Sequence, residues 1–172
     1  MHKEQHDFFK SVKQIFPDHF RSSKVLDVGS LDINGNNRGL FGSCAYIGLD
    51  IASGKNVDVI SPVHLSGFPS GCFDTVISGE CFEHDPWFNH SIKSIVRMLM
   101  SGGLFVMTCA GKNRAEHGTK RVDPNSSPFT PDFYQNRTAK DFEEIPGFEQ
   151  LKGVFTEARN GMDLYYAGVK LG

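Results

Sequence analysis

Lys24-Val25-Leu26-Asp27-Val28-Gly29-Ser30 is the stretch that decides the fold of this chain. Its apolar run is nearly continuous rather than alternating, as in a parallel strand covered on both faces, and a glycine follows where a sharp turn is needed. The same shape recurs at Ala45-Tyr46-Ile47-Gly48-Leu49-Asp50, at Val57-Asp58-Val59-Ile60, at Phe73-Asp74-Thr75-Val76-Ile77-Ser78 and from Leu104 to Cys109. Between the last two runs, Ile92, Ile95, Val96, Leu99 and Met100 recur at helical spacing, and Ser101-Gly102-Gly103 is expected to end that helix. The segment from Ser61 to Gly71 is rich in Pro, Gly and Ser and too short for a good crossover helix. Strands alternating with crossovers in this way predict a parallel α/β sheet.

Working outward, Phe8, Phe9, Val12, Ile15 and Phe16 mark a leading amphipathic helix within residues 1–20, which Pro17 should stop. Downstream of the core at 24–109, residues 111–131 are polar and aperiodic, and a loop of that length is more often functional than idle. Thr138 to Asp141 fits a capping box opening a short helix that Pro146-Gly147 closes. Two runs, near Phe148 to Thr156 and Leu164 to Lys170, should pair as a hairpin around Arg159-Asn160-Gly161. The expected fold is α/β, a Rossmann-like doubly wound sheet, mostly parallel with an antiparallel C-terminal hairpin. It is read as a single domain over 1–172, with the C-terminal helix and hairpin in 138–172.

With 18 Lys and Arg against 20 Asp and Glu, the net charge of -2 gives no basic field of the kind duplex nucleic acid requires. A composition 39% hydrophobic and 22% charged is that of an ordinary globular protein, and Phe 15 points to an aromatic-rich core. No apolar run approaches the ~20 residues of a membrane span, and Met1 to Asp7 is not signal-like, so a cytoplasmic, membrane-free location is expected. Cys44, Cys72, Cys81 and Cys109 show neither a C-x-x-C pair nor zinc-finger spacing, so they read as reduced thiols and no metal is expected. A catalytic role for Cys81 is the less favoured alternative to structural burial.

In open α/β sheets ligands bind beyond the carboxyl ends of the strands. Asp27, Gly29, Ser30 and Asp32 stand there after the first strand, and Asp50 after the second, about 20 residues past Gly29, where an acid can hold a ribose diol. A dinucleotide would need G-x-G-x-x-G, yet Leu31 and Asn34 occupy the second and third positions. Asp27 and Asp32 also place negative charge where phosphate would lie, but favour an ammonium group. S-adenosylmethionine carries an ammonium, a ribose diol and no phosphate.

The ordered set Val25 to Gly29, Tyr46 to Asp50, Phe73 to Ser78, Glu80-Cys81-Phe82-Glu83-His84 and Leu99 to Leu104 resembles the class I S-adenosylmethionine-dependent methyltransferases, especially the type 11 group. The resemblance spans roughly Lys24 to Cys109. It implies a cofactor, S-adenosylmethionine, wrapped at its methionine end by Asp27, Gly29, Ser30 and Asp32, held at the ribose by Asp50 with Ile51, and flanked at the adenine by Val63 and His64. Gly79 and Glu80 then fall near the transferable methyl. The first motif departs from the family in lacking further glycines directly after Gly29, with Gly35 as a displaced small residue. Ser78-Gly79-Glu80-Cys81 replaces the Asn/Asp-Pro-Pro-Tyr signature of many amino-group methylating enzymes, which disfavours methylation of a base nitrogen.

On the acceptor side, His84 and His117 are candidate general bases, with helix capping as the alternative role for His84. Glu83, Arg114 and Arg121 are candidate acceptor-binding groups, the arginines because a guanidinium can fork onto a carboxylate or phosphate. The activity implied is in-line methyl transfer to a small or medium-sized anionic acceptor. The alternatives are a non-catalytic S-adenosylmethionine-binding protein and, further off, a nucleotide-binding oxidoreductase.

Overall fold

A computed structural model describes residues 3–130 and 132–172; Pro131, the last residue of the expected loop, and residues 1–2 lie outside the described set. Seven strands form one sheet in the order β3-β2-β1-β4-β5-β7-β6. β1 (Lys24–Val28), β2 (Ala45–Asp50), β3 (Val59–Ile60), β4 (Phe73–Gly79) and β5 (Leu99–Ala110) run parallel. β7 (Asp163–Lys170) is antiparallel to β5 and to β6 (Leu151–Ala158), as the hairpin reading expected. The turn between them places Arg159, Asn160 and Gly161 at positive φ.

Burial on both faces is why the strands read as continuous apolar runs. Val25, Ile77, Leu104 and Val106 point to one face, where they pack with Phe9 and Val12 of α1 (Lys3–Ile15). Leu26, Val28, Val76, Phe105 and Met107 point to the other, against Ile92, Ile95 and Val96 of α2 (Phe88–Met98) and Phe142 of α3 (Ala139–Glu143). Each large apolar side chain so buried contributes roughly 1.5–3 kcal/mol. α1 stops at Ile15 because proline at 17 disfavours helical angles for Phe16, whose φ and ψ are -122 and 58. The chain then makes a 3-10 turn, Pro17–Phe20, and stacks Phe20 on Phe41 at 4.4 Å. α3 carries the expected capping box, the Thr138 backbone N–H donating to Asp141 Oδ2 at 2.7 Å.

Two expectations are corrected. Ser101-Gly102-Gly103 does not end a helix: α2 stops at Met98 and β5 begins at Leu99, with a register irregularity opposite Phe73 and Thr75. The glycines serve that irregularity, since Gly102 has φ +78 and a Cβ on Gly103 would lie 2.9 Å from the Met100 carbonyl. β3 is only Val59–Ile60, because Asp58 instead turns its carboxylate to the backbone N–H of Gly48 at 2.7 Å and to Arg38. The doubly wound expectation is met with few helices: among the described residues the β4–β5 connection holds α2 and the β5–β6 connection the short α3, while the β1–β2 and β3–β4 connections carry the 3-10 turns Arg38–Phe41 and Val63–Leu65. No helix among the described residues is long and apolar enough to cross a membrane.

Candidate active site

Strand order reverses between β1 and β4, and the cleft lies at the carboxyl ends there, as expected for an open α/β sheet. It encloses about 1220 Å³, its open mouth included. Gly29 leaves β1 at φ +74, and a Cβ there would lie 2.6 Å from Cβ of Cys81, so both the turn and the close approach require glycine. Cys81 thereby packs against the turn, and burial pushes its thiol well up, away from the reactive thiolate. Gly48 in β2 is needed for the same kind of reason, because a Cβ would run into the Asn56 carbonyl and Ser30 Oγ.

Asp27 ends in the cleft with both recorded donors, the Tyr46 hydroxyl at 2.5 Å and Asn56 Nδ2 at 3.2 Å, on Oδ2. Burial pushes its carboxyl up to about 6, against the pull of those two donors. Asp50 is held by the backbone N–H groups of Leu31 at 2.9 Å and Ala52 at 3.3 Å, one on each oxygen. Burial raises its carboxyl above the ordinary range as well. Gly29, Ser30, Ile51, Val63, His64, Gly79 and Glu80 also line the cleft. Asp32 does not: its carboxylate turns into its own loop, bonding Gly35 N–H and Asn36 at 2.7 Å each and pairing with Lys55 at 2.7 Å. The buried Ser30 Oγ and His64 Nδ1 have no partner, so two polar atoms at the cleft wall stand ready for a ligand.

At the end of β4, Glu80 sits at φ 57, an unfavourable backbone for a residue with a Cβ, and such strain gathers at functional sites. Burial raises its carboxyl, opposed by a hydrogen bond from Gln5 of α1 and by Arg114. Arg114 Nη1 lies 2.6 Å from Asp163 Oδ1 and Nη2 lies 3.5 Å from Glu80 Oε2. Burial works against the charge of Asp163, but Arg159 at 2.6 Å and Arg114 outweigh it and hold that carboxyl low. The sequence reading placed Arg114 on the acceptor; the structure engages it with two carboxylates of the chain itself.

His84 lines the cleft, edge-on to His117 at 5.0 Å between ring centroids. Burial, then His117, lowers the His84 ring to about 4, and burial lowers His117, so both imidazoles are neutral near pH 7. Glu83 lies beneath the cleft rather than on its wall, fully buried, with Oε1 accepting the Ala110 N–H at 3.2 Å. Arg121 is turned outward and pairs with Glu116 at 2.9 Å. Instead of the basic stretch, Ser126 to Thr130 at the other end of the same expected loop border the cleft, residues that neither charge nor periodicity singled out within it. Phe129 there is 58% exposed and Trp87 opposite is 48% exposed, so two aromatic faces stand open at the rim.

The fold is a Rossmann-like α/β sheet with its cleft at the carboxyl ends of the strands, as the motifs implied. Residues 34–107 match the family model Methyltransf_11, described as a methyltransferase domain. Among solved structures, the YcgJ protein of Bacillus subtilis is similar at TM-score 0.67 and 14% identity, covering 99% of this chain and 100% of that one. The 1,6-didemethyltoxoflavin-N1-methyltransferase of Burkholderia thailandensis, solved with 1,6-didemethyltoxoflavin and S-adenosylhomocysteine bound, is similar at TM-score 0.61 and 15% identity, over 98% and 87% of the two chains. CurJ carbon methyltransferase is similar at TM-score 0.63 and 12% identity over 88% of this chain, which spans only 49% of that longer protein. At these identities the likeness is one of fold. No curated protein sequence matches the chain.

Proposed function

We propose that this chain transfers a methyl group from S-adenosylmethionine to a small or medium-sized acceptor, with the cofactor in the cleft beyond β1, β2 and β4. The observation that carries the reading is the pairing of a buried carboxylate, Asp27, with a half-buried one, Asp50, beside the Gly29 turn. Asp27 would hold the ammonium, Asp50 the ribose diol, and Ile51, Val63 and His64 the adenine edge. The residues fit this ligand: Gly29 keeps open a cradle that a Cβ would fill, and Ser30 Oγ and His64 Nδ1 are buried without partners. A pyrophosphate fits poorly beside Asp27, which disfavours the oxidoreductase alternative, whereas Asp50 would suit the ribose of either ligand.

When bound, the cofactor supplies a methyl group on an already activated sulfonium, so the chain chiefly positions and dries the site. Glu80 and His84 flank the acceptor side, and Ser126 to Thr130 with Phe129 overhang it. Neutral imidazole at His84 can take up an acceptor proton, with His117 edge-on behind it. An anionic acceptor, expected from the loop arginines, would have to draw Arg114 from Asp163 and Glu80, or Arg121 from Glu116. The cleft therefore supports recognition by its own wall over recognition by those arginines, and the small acceptor in the Burkholderia relative's structure accords with this scale.

Methyl-labelled S-adenosylmethionine incubated with the chain and a fractionated metabolite extract tests the proposal. Label should move into the low-molecular-weight fraction and be lost in Asp50→Ala. Cofactor binding without label transfer to any pool would instead favour a non-catalytic binding protein.

A further inference from the structure

Beneath the acceptor side of the cleft, Glu83, His84 and His117 each offer one ligand atom, and these atoms all lie within 4.8 Å of one another. Glu83 is 0% exposed and His84 6%. His117 Nε2 stands 4.0 Å from Glu83 Oε1, beyond hydrogen-bond reach. Glu83 Oε2 and His84 Nδ1 are buried with no partner at all. Buried polar atoms are normally satisfied, so two unpaired in one cluster call for something that satisfies both.

Each of the three side chains is also oriented from behind. His117 Nδ1 lies 3.2 Å from the Ala115 carbonyl, so the proton sits on Nδ1 and the lone pair on Nε2 faces Glu83. The backbone of Phe133 hydrogen-bonds the His84 ring, whose Nδ1 is the nitrogen left unpaired. Glu83 Oε1 is fixed by the Ala110 N–H at 3.2 Å. Ring nitrogens tied to backbone carbonyls, with the opposite nitrogens converging on a carboxylate, is the arrangement that orients histidines as metal ligands.

We infer that Glu83, His84 and His117 form a binding site for a divalent first-row transition ion. Two imidazole nitrogens and one carboxylate oxygen suit manganese, iron, cobalt or zinc better than magnesium or calcium, which prefer oxygen alone. Bonds of about 2.0–2.2 Å place ligand atoms about 3–4 Å apart, so separations of up to 4.8 Å close by about 1–2 Å as the ion binds. Three protein ligands leave further coordination positions open, and His84 is the member that lines the cleft. An acceptor oxygen could take such a position, a role that rests on the methyl-transfer reading and, with the ion bound, replaces proton uptake by His84; the ion site itself does not rest on it.

The chain, treated with chelator and exchanged into metal-free buffer, is titrated with cobalt(II) chloride alone, without cofactor or acceptor, and followed by visible absorption and thermal melting. One equivalent should bind, with visible bands and a raised Tm. His117→Ala, altered at a side chain 19% exposed, and the near-isosteric Glu83→Gln should each weaken binding tenfold or more while melting cooperatively. His90→Ala, at an exposed histidine outside the cluster, should bind like wild type. Absence of binding at millimolar cobalt, equal affinity in wild type and His117→Ala, or loss in His90→Ala instead would overturn the site. None of these results bears on cofactor binding, which is measured separately.

Discussion

Replacing Asp27 by Asn removes a carboxyl that its place in the cleft holds above the ordinary range. Its carboxyl stands at about 6 against an ordinary 3.8, because burial disfavours the charge more than Tyr46 and Asn56 support it. At 1.36 kcal/mol per pH unit that gap corresponds to about 3 kcal/mol. The folded state keeps this proton to higher pH than the unfolded state does. The group's contribution to stability is therefore fully present below about pH 4 and lost as pH rises through about 6. The other charges acting on it are those of Asp50 and Arg38, both retained in the variant. Asn offers an Oδ1 acceptor to the same two donors, so urea unfolding from pH 4 to 7.5 should show a wild-type decline missing from Asp27→Asn, with the variant more stable at pH 7 by up to about 3 kcal/mol. Ligand binding should run the other way. About one Asp27 in ten is ionised at pH 5 and about nine in ten at pH 7, so wild-type affinity for S-adenosylhomocysteine should rise about tenfold between them, and the variant should bind weakly at both. Parallel stability curves for the two proteins, or a flat wild-type binding profile, would refute the account of Asp27.

Gly29→Ala meets both positive φ and the Cys81 side chain, so urea unfolding should show a loss of about 2–5 kcal/mol, with partial recovery in Gly29→Ala/Cys81→Ala, which removes the Sγ contact but not the backbone strain. Asp50→Ala should weaken S-adenosylhomocysteine binding by about 1–3 kcal/mol in calorimetry; unchanged affinity would remove Asp50 from the ribose. Arg121→Ala, at a residue exposed and paired only with Glu116 among the described residues, should leave Tm and methyl transfer unaltered, and a raised KM would restore the loop to acceptor recognition.

The strands were legible because burial on both faces writes itself as continuous apolar runs, and the antiparallel hairpin because Asn160-Gly161 accepts positive φ. The end of α2 was misread because Gly102-Gly103 carries the same local signal whether it stops a helix or bends a strand. Strand-end position brought Asp27, Gly29 and Asp50 to the cleft as read. It could not show that Asp32 would turn to Gly35, Asn36 and Lys55, a choice made by the path of its loop. The loop's own charges were misleading in the same way: Arg114 is drawn to Asp163, a residue distant in sequence that only the β5–β7 pairing brings near. His117 joins His84 and Glu83 through that loop's fold, so no spacing in the chain discloses the cluster.

Calorimetric titration with S-adenosylhomocysteine tests the central claim most directly, with NAD⁺ titrated in parallel. One equivalent of S-adenosylhomocysteine should bind saturably and raise Tm by mass action, with no heat from NAD⁺. Silence at millimolar S-adenosylhomocysteine, or preference for NAD⁺, would contradict it.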